Sequence, residues 1–175
     1  MSPSFDFTLT FAISETLGVD EMEERLFEAG CDDAIIGFGQ KGRFALNFTR
    51  EAESAEVAIL SALRNVKAAL PHAGLVEAAP DLVGVSDLAG ILGFSRQNMR
   101  KLIQTHFASF PLPLHDGTSA IWHLADVLAW FSEKQKRVIK QELMGVAQVT
   151  MGVNLTRETD RVDRRLLAQL RATAW

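Results

Sequence analysis

Asp81-Leu82-Val83-Gly84-Val85-Ser86-Asp87-Leu88-Ala89-Gly90-Ile91-Leu92-Gly93-Phe94-Ser95-Arg96-Gln97-Asn98-Met99-Arg100-Lys101 is the stretch on which the reading of the chain turns. Two helices that cross steeply need a small residue where they touch and, in the turn between them, a residue that tolerates positive φ. Ala89 supplies the first and Gly93, four residues on, the second. Met99, six residues beyond Gly93, is placed to lock the second helix onto the first, with Leu88, Leu92, Phe94, Leu102 and Ile103 completing a small core. Ser86 and Ser95 stand where helices should begin, and a serine hydroxyl there can accept from free backbone N–H groups. In register, these features describe a helix-turn-helix.

The outer face of the second helix carries the candidate chemistry. Ser95, Arg96, Gln97, Arg100, Lys101 and Gln104 fall away from the apolar stripe Met99, Leu102 and Ile103. Arginine and lysine pair with guanine and glutamine with adenine, while either cation holds phosphate. Arg96, Gln97 and Arg100 lie at or near the N-terminal end, which in a recognition helix meets base edges; Lys101 lies further round, towards phosphate. From Phe110 to Trp122 the helical pattern is interrupted by Pro111, Pro113 and Asp116-Gly117, which predicts a short hairpin. Its tip residues His115, Thr118 and Ser119 are the ones able to reach phosphate, whereas Trp122 and Trp130 are expected to be core.

The run Asp81 to Ala89, then Leu92-Gly93-Phe94-Ser95-Arg96-Gln97, Phe110-Pro111-Leu112-Pro113, Trp122, Asp126-Val127 and Trp130 resembles the MerR-type winged helix-turn-helix, particularly its AlpA-like and excisionase-like branch. The resemblance covers roughly residues 81–133 and implies that the helix beginning at Ser95-Arg96 enters the major groove of DNA. It also implies that the hairpin after Phe110-Pro111 is a wing touching the DNA backbone or minor groove. It says nothing about the first 80 residues.

Working outward, residues 1–79 alternate between two periods. Phe5, Phe7, Leu9 and Phe11 alternate with polar residues as in a half-buried strand. Asp20 with Glu23 suggests a helix start, Met22, Leu26 and Ala29 share its face, and Gly30 ends it. Strands then follow at Ala34–Phe38 and Phe44–Phe48 around the turn Gly39-Gln40-Lys41-Gly42. An amphipathic helix over Ser54–Leu70 is stopped by Pro71, and a last strand covers Gly74–Ala78. The order β-α-β-β-α-β is that of a ferredoxin-like split βαβ domain. Beyond the joint at Pro80 and Asp81, a long helix is expected over Leu124–Ala147 and a final one over Thr156–Ala172. The fold class is therefore α+β, with a ferredoxin-like domain at 1–79, a winged helix-turn-helix at 80–133 and a helical extension at 134–175. In that extension Val162, Leu166 and Leu170 recur every four residues among Arg157, Arg161, Arg164, Arg165 and Arg171. Such a helix either packs back on its own chain or forms half of a homodimer contact, which a reader of two DNA half-sites would use.

The net charge of −4 is unevenly spread. Residues 1–80 hold 6 Lys/Arg against 13 Asp/Glu, residues 81–140 hold 7 against 5, and residues 141–175 hold 5 against 4. Because charges act within a Debye length of about 10 Å, the mildly basic remainder and not the total sets the field near the helix-turn-helix. A single cysteine, Cys31, allows no intrachain disulfide and reads as a small buried hydrophobe. No signal-like N-terminal segment or membrane-spanning run is visible, so a cytoplasmic protein without membrane contact is expected.

Other chemistries find little support. Phe44, Leu46 and Phe48 share the core-facing parity, which leaves Arg43, Ala45 and Asn47 on the open sheet face without the aromatic platforms that RNA needs. His72, His106, His115 and His123 lack metal-ligand spacing. No phosphate loop or catalytic constellation appears, so neither an enzyme nor a cofactor is expected. The expected role is sequence-specific binding of double-stranded DNA by a transcriptional regulator, with an unknown small-molecule effector admitted at the N-terminal domain. An excisionase-like architectural or recombination factor, or a protein-interaction module without DNA binding, would use the same motif.

Overall fold

The computed structural model describes residues 1–14 and 17–173. Alternation along the first strand decides the sheet. In β1 (Ser4–Ala12), Phe5, Phe7, Leu9 and Phe11 are buried, each burial being worth about 1.5–3 kcal/mol, while Asp6, Thr8 and Thr10 face outward. β3 (Arg43–Glu51) pairs with β1 in the register Phe7↔Phe48, Leu9↔Leu46 and Phe11↔Phe44, so two phenylalanine pairs stack at 5.0 and 5.5 Å. With β2 (Ala34–Phe38) and β4 (Gly74–Ala79) the strands make one antiparallel sheet in the order β2-β3-β1-β4. Helices α1 (Val19–Glu28) and α2 (Ala55–Ala69) supply Met22, Leu26, Ala58, Ile59, Ala62 and Val66 to its core. Ser54 caps α2 by accepting from Val57 N–H at 3.2 Å, whereas the N-cap position of α1 is Gly18, two residues before the expected Asp20. Asp20 instead lies in the first turn, where a negative charge meets the positive end of the helix dipole.

Past the joint, β5 (Leu82–Val83) pairs with β6 (Trp122–His123) and brackets α3 (Val85–Leu92) and α4 (Arg96–Thr105). α5 (Leu124–Lys134) follows β6 directly and buries Leu124, Val127, Leu128, Trp130 and Phe131 against Leu88, Leu92 and Met99. Trp122 and Trp130 are both core, sharing edge contacts with Phe110.

The single helix expected over Leu124–Ala147 is two. Lys136 adopts φ 52°, breaking the helix, and Arg137 turns back to hydrogen-bond the carbonyl of Phe131 and lay its guanidinium 4.9 Å from the Phe94 ring. The chain restarts as α6 (Gln141–Thr159), which takes the Thr156 end of the last expected helix; only α7 (Arg164–Thr173) remains of that helix. α6 lies between two cores: Val146 is buried among the sheet residues, and the adjacent Ala147 among the helices of the second half. The whole is a mixed α+β fold with a four-stranded antiparallel sheet and seven helices among the described residues.

Polar groups seal the joint. Asn154 of α6 accepts from Ala78 N–H at 2.8 Å and donates to Ala78 C=O at 2.7 Å and to the Asp81 carboxylate at 2.8 Å. Thr150 donates its hydroxyl to Pro80 C=O at 2.7 Å. Removing Asn154 would leave a buried strand terminus and a buried carboxylate short of partners, at a cost on the order of 2–4 kcal/mol. Asn154→Ala should therefore lower the melting midpoint by roughly 4–16 °C in a circular dichroism melt. An unmoved midpoint would mean that these bonds carry no weight in holding α6 to the sheet.

Candidate nucleic-acid interface

The turn between α3 and α4 forms as its residues require. Gly93 ends α3 at φ 72°, the left-handed region where only glycine is unstrained, and Phe94 N–H bonds Ala89 C=O at 2.8 Å. Ala89 and Met99 are buried where the helices meet. Arg137 donates to the Leu92 carbonyl, so the segment after α5 satisfies an otherwise open end of α3. Ser95 caps α4 by accepting from Asn98 N–H at 3.1 Å, leaving its hydroxyl proton free to donate. Ser86 does not cap α3. It sits inside the first turn, and Asp87 does the capping, its carboxylate accepting from Gly84 N–H at 2.9 Å.

Arg96, Gln97, Arg100, Lys101 and Gln104 are all exposed, and at 100° per residue they span an arc of about 140° on α4. The hairpin closes through Leu114 N–H to Ile121 C=O at 2.7 Å and Ile121 N–H to His115 C=O at 3.0 Å. Between α4 and this hairpin lies a cleft of about 360 Å³ that brings together Arg96, Arg100, Thr118 and Ser119 with Ser86. Asp87 also lines it, so two arginines face one carboxylate and the local balance is positive. His115 is exposed, but its ring lies over Gly117, where an added Cβ would meet Nε2 at 2.5 Å, and it is not part of the cleft wall. Gln97, Lys101 and Gln104 continue the same face of α4 beyond the cleft. Ser86 is the one hydroxyl that sequence reasoning placed in the wrong role; its position two residues after Gly84, on the first turn, is the signal that could have moved it.

Elsewhere the chemistry is structural. The open sheet face pairs Thr8 with Asn47 and Thr49 with Asp6, each at 2.8 Å. Arg50 is buried, donates to both Asp33 oxygens at 2.7 and 2.8 Å and to Gly30 C=O at 2.7 Å, and the Asp33 bond holds its guanidinium firmly charged. His123 Nδ1 lies 2.7 Å from Asp81 Oδ1. Among the described residues no group of His, Cys, Asp and Glu is placed to hold a metal ion, and no helix is long and apolar enough to cross a membrane. Searches matched no family model, no curated protein and no solved structure.

Cys31 is buried, and burial pushes its thiol up to about 11; Arg50 opposes this and Asp33 and Asp32 add to it. Because only the thiolate is nucleophilic, alkylation of the native thiol should rise about tenfold per pH unit between pH 8 and 10 without a plateau. A plateau near the ordinary thiol range would show that Cys31 is not shielded as the fold implies.

Proposed function

We propose that the chain is a sequence-specific double-stranded DNA-binding protein, a transcriptional regulator in which a ferredoxin-like split βαβ unit is joined to a winged helix-turn-helix. The observation that carries this reading is the convergence of Arg96 and Arg100 from α4 with Thr118 and Ser119 from the hairpin on one exposed, positively balanced cleft. A recognition helix fits the major groove, which is about 12 Å wide, and a wing beside it grips the flanking backbone. The β2-β3-β1-β4 order supports the ferredoxin-like assignment of the first unit, and the β5–β6 pairing that brackets α3 and α4 supports the winged assignment of the second. The resemblance to MerR-type winged helices points the same way. In this arrangement Arg96, Gln97 and Arg100 in the N-terminal part of α4 read base edges, Lys101 further round holds phosphate, and Ser95, Thr118 and Ser119 add hydroxyl donors to the backbone. Gln104 follows the groove one turn further along, and His115 serves the hairpin turn.

A protein-contact role for the same motif draws on one feature, the exposure of Phe107 at 78% and Leu112 at 88% between α4 and the hairpin. Binding measurements separate the two. Sequences would first be selected from a random duplex pool, and Arg100→Ala and Lys101→Ala then titrated on the selected site and a scrambled duplex across several salt concentrations. Arg100→Ala should lose on the order of 1–3 kcal/mol on the selected site and less on the scrambled one. Lys101→Ala should weaken both alike and reduce the salt slope by roughly one unit. No enrichment from the pool, or folded variants that bind both duplexes like the parent, would remove α4 as a reading element.

A further inference from the structure

α7 is an amphipathic helix that leaves most of its apolar side open, only Leu167 being half-buried among its leucines. None of its described residues is buried: Leu166 and Leu170, one turn apart, stay 47% and 40% exposed, and Arg171 and Arg165 flank them on either side. Among the described residues no ion pair engages Arg164, Arg165 or Arg171.

The first half of the chain carries a complementary surface. A groove of about 470 Å³ runs between α1 and the edge strand β2, with Phe27 and Ile36 in its wall and Asp20, Glu23, Glu24 and Asp32 along it. Asp20, Glu23, Glu24 and Phe27 have the i, i+3, i+4, i+7 spacing of one helical face, and Phe27 is 67% exposed. An apolar stripe edged by acids therefore stands open on the first half of the chain. An apolar stripe edged by arginines stands open on the last helix.

We propose that α7 of one copy docks into the α1–β2 groove of a second copy, and that the exchange is reciprocal. Charge complementarity selects a second copy of this chain as the occupant, with Leu166 and Leu170 against Phe27 and the arginines against the carboxylates. The same chain does not fill its own groove: Phe27 stays 67% exposed there, and Leu166 and Leu170 stay open on α7. Two copies satisfy both grooves at once, which closes the assembly as a two-fold dimer.

The full-length chain would be weighed by light scattering over a concentration series, with circular dichroism as the check on folding. The parent should show twice the 19.3 kDa chain mass. Glu23→Lys/Glu24→Lys and, separately, Arg164→Glu/Arg165→Glu/Arg171→Glu should each be folded monomers. Mixing the two variants should restore a dimer, because each reversed surface then meets its reversed counterpart in the other chain. A monomeric parent overturns the proposal, as does a dimer that survives reversal of the groove, which would mean that two α7 helices pair with each other. Reversal of α7 that weakens binding to a random DNA duplex and leaves the mass unchanged also overturns it, since α7 would then contact nucleic acid.

Discussion

Asp81 is completely buried, and a carboxylate out of water costs several kcal/mol unless its oxygens are met. Here they are met from two directions: His123 approaches Oδ1 at 2.7 Å from the strand before α5, and Asn154 donates to Oδ2 at 2.8 Å from α6. The Asp81 carbonyl accepts from Leu124 N–H at 2.7 Å, which starts α5 at the same point. One residue thus fixes where α5 begins and which face α6 turns to the sheet. With the Asn154 bonds to Ala78, it also ties the end of β4 to the start of β5. Moving α3 and α4 away from the sheet would strip Asp81 of these partners, so the bonds to His123 and Asn154 hold the second half of the chain against the first.

The same constraint explains what the sequence did and did not disclose. The strands of the first half were legible because a strand buried on one face must alternate, and Phe5 to Phe11 do so without exception. The turn between α3 and α4 was legible because its determinants are local: Gly93 in the turn, Ser95 as a cap and Met99 on the buried side all lie within seven residues. α6 was not. Val146 faces one core and Ala147 the other, and apolar residues distributed around a helix leave no stripe to mark where it starts, stops or docks. The break before it depends on Lys136 entering the left-handed region so that Arg137 can reach Leu92 and Phe94, a tertiary contact with no signature in the lysine itself. Asn154 and Asp81 are 73 residues apart, and nothing local announces such a pair.

At the candidate site the legible part was residue type and face, and the illegible part was role. Arg96, Gln97, Arg100, Lys101 and Gln104 could be read as one exposed face from helical spacing alone. Whether a serine at a helix start caps depends on one residue of register: Ser95 caps, and Ser86 yields the task to Asp87 because Gly84 already precedes the helix. His115 and Thr118 look equivalent at a hairpin tip until the turn at Gly117 sends one ring across it and the other side chain towards α4.

On the proposed reading, the acidic total charge would bear on DNA binding only through where the acids sit. Four of them line the α1–β2 groove, on a surface formed by the first half of the chain. The α4 face carries Arg96, Arg100 and Lys101 on elements of the second half. Fields from exposed charges fade over about 10 Å in physiological salt, so acids more than that distance from the bound phosphates add little to the local cost. If the arginines of a second copy's α7 cover the groove, its carboxylates are neutralised at short range and the remaining repulsion falls further. The same contact would put two α4 helices into one two-fold assembly, the arrangement a helix-turn-helix protein needs to engage two half-sites. On the two proposals together, charge separation along the chain would serve both surfaces, the acids facing a second copy and the cations of the second half facing phosphate.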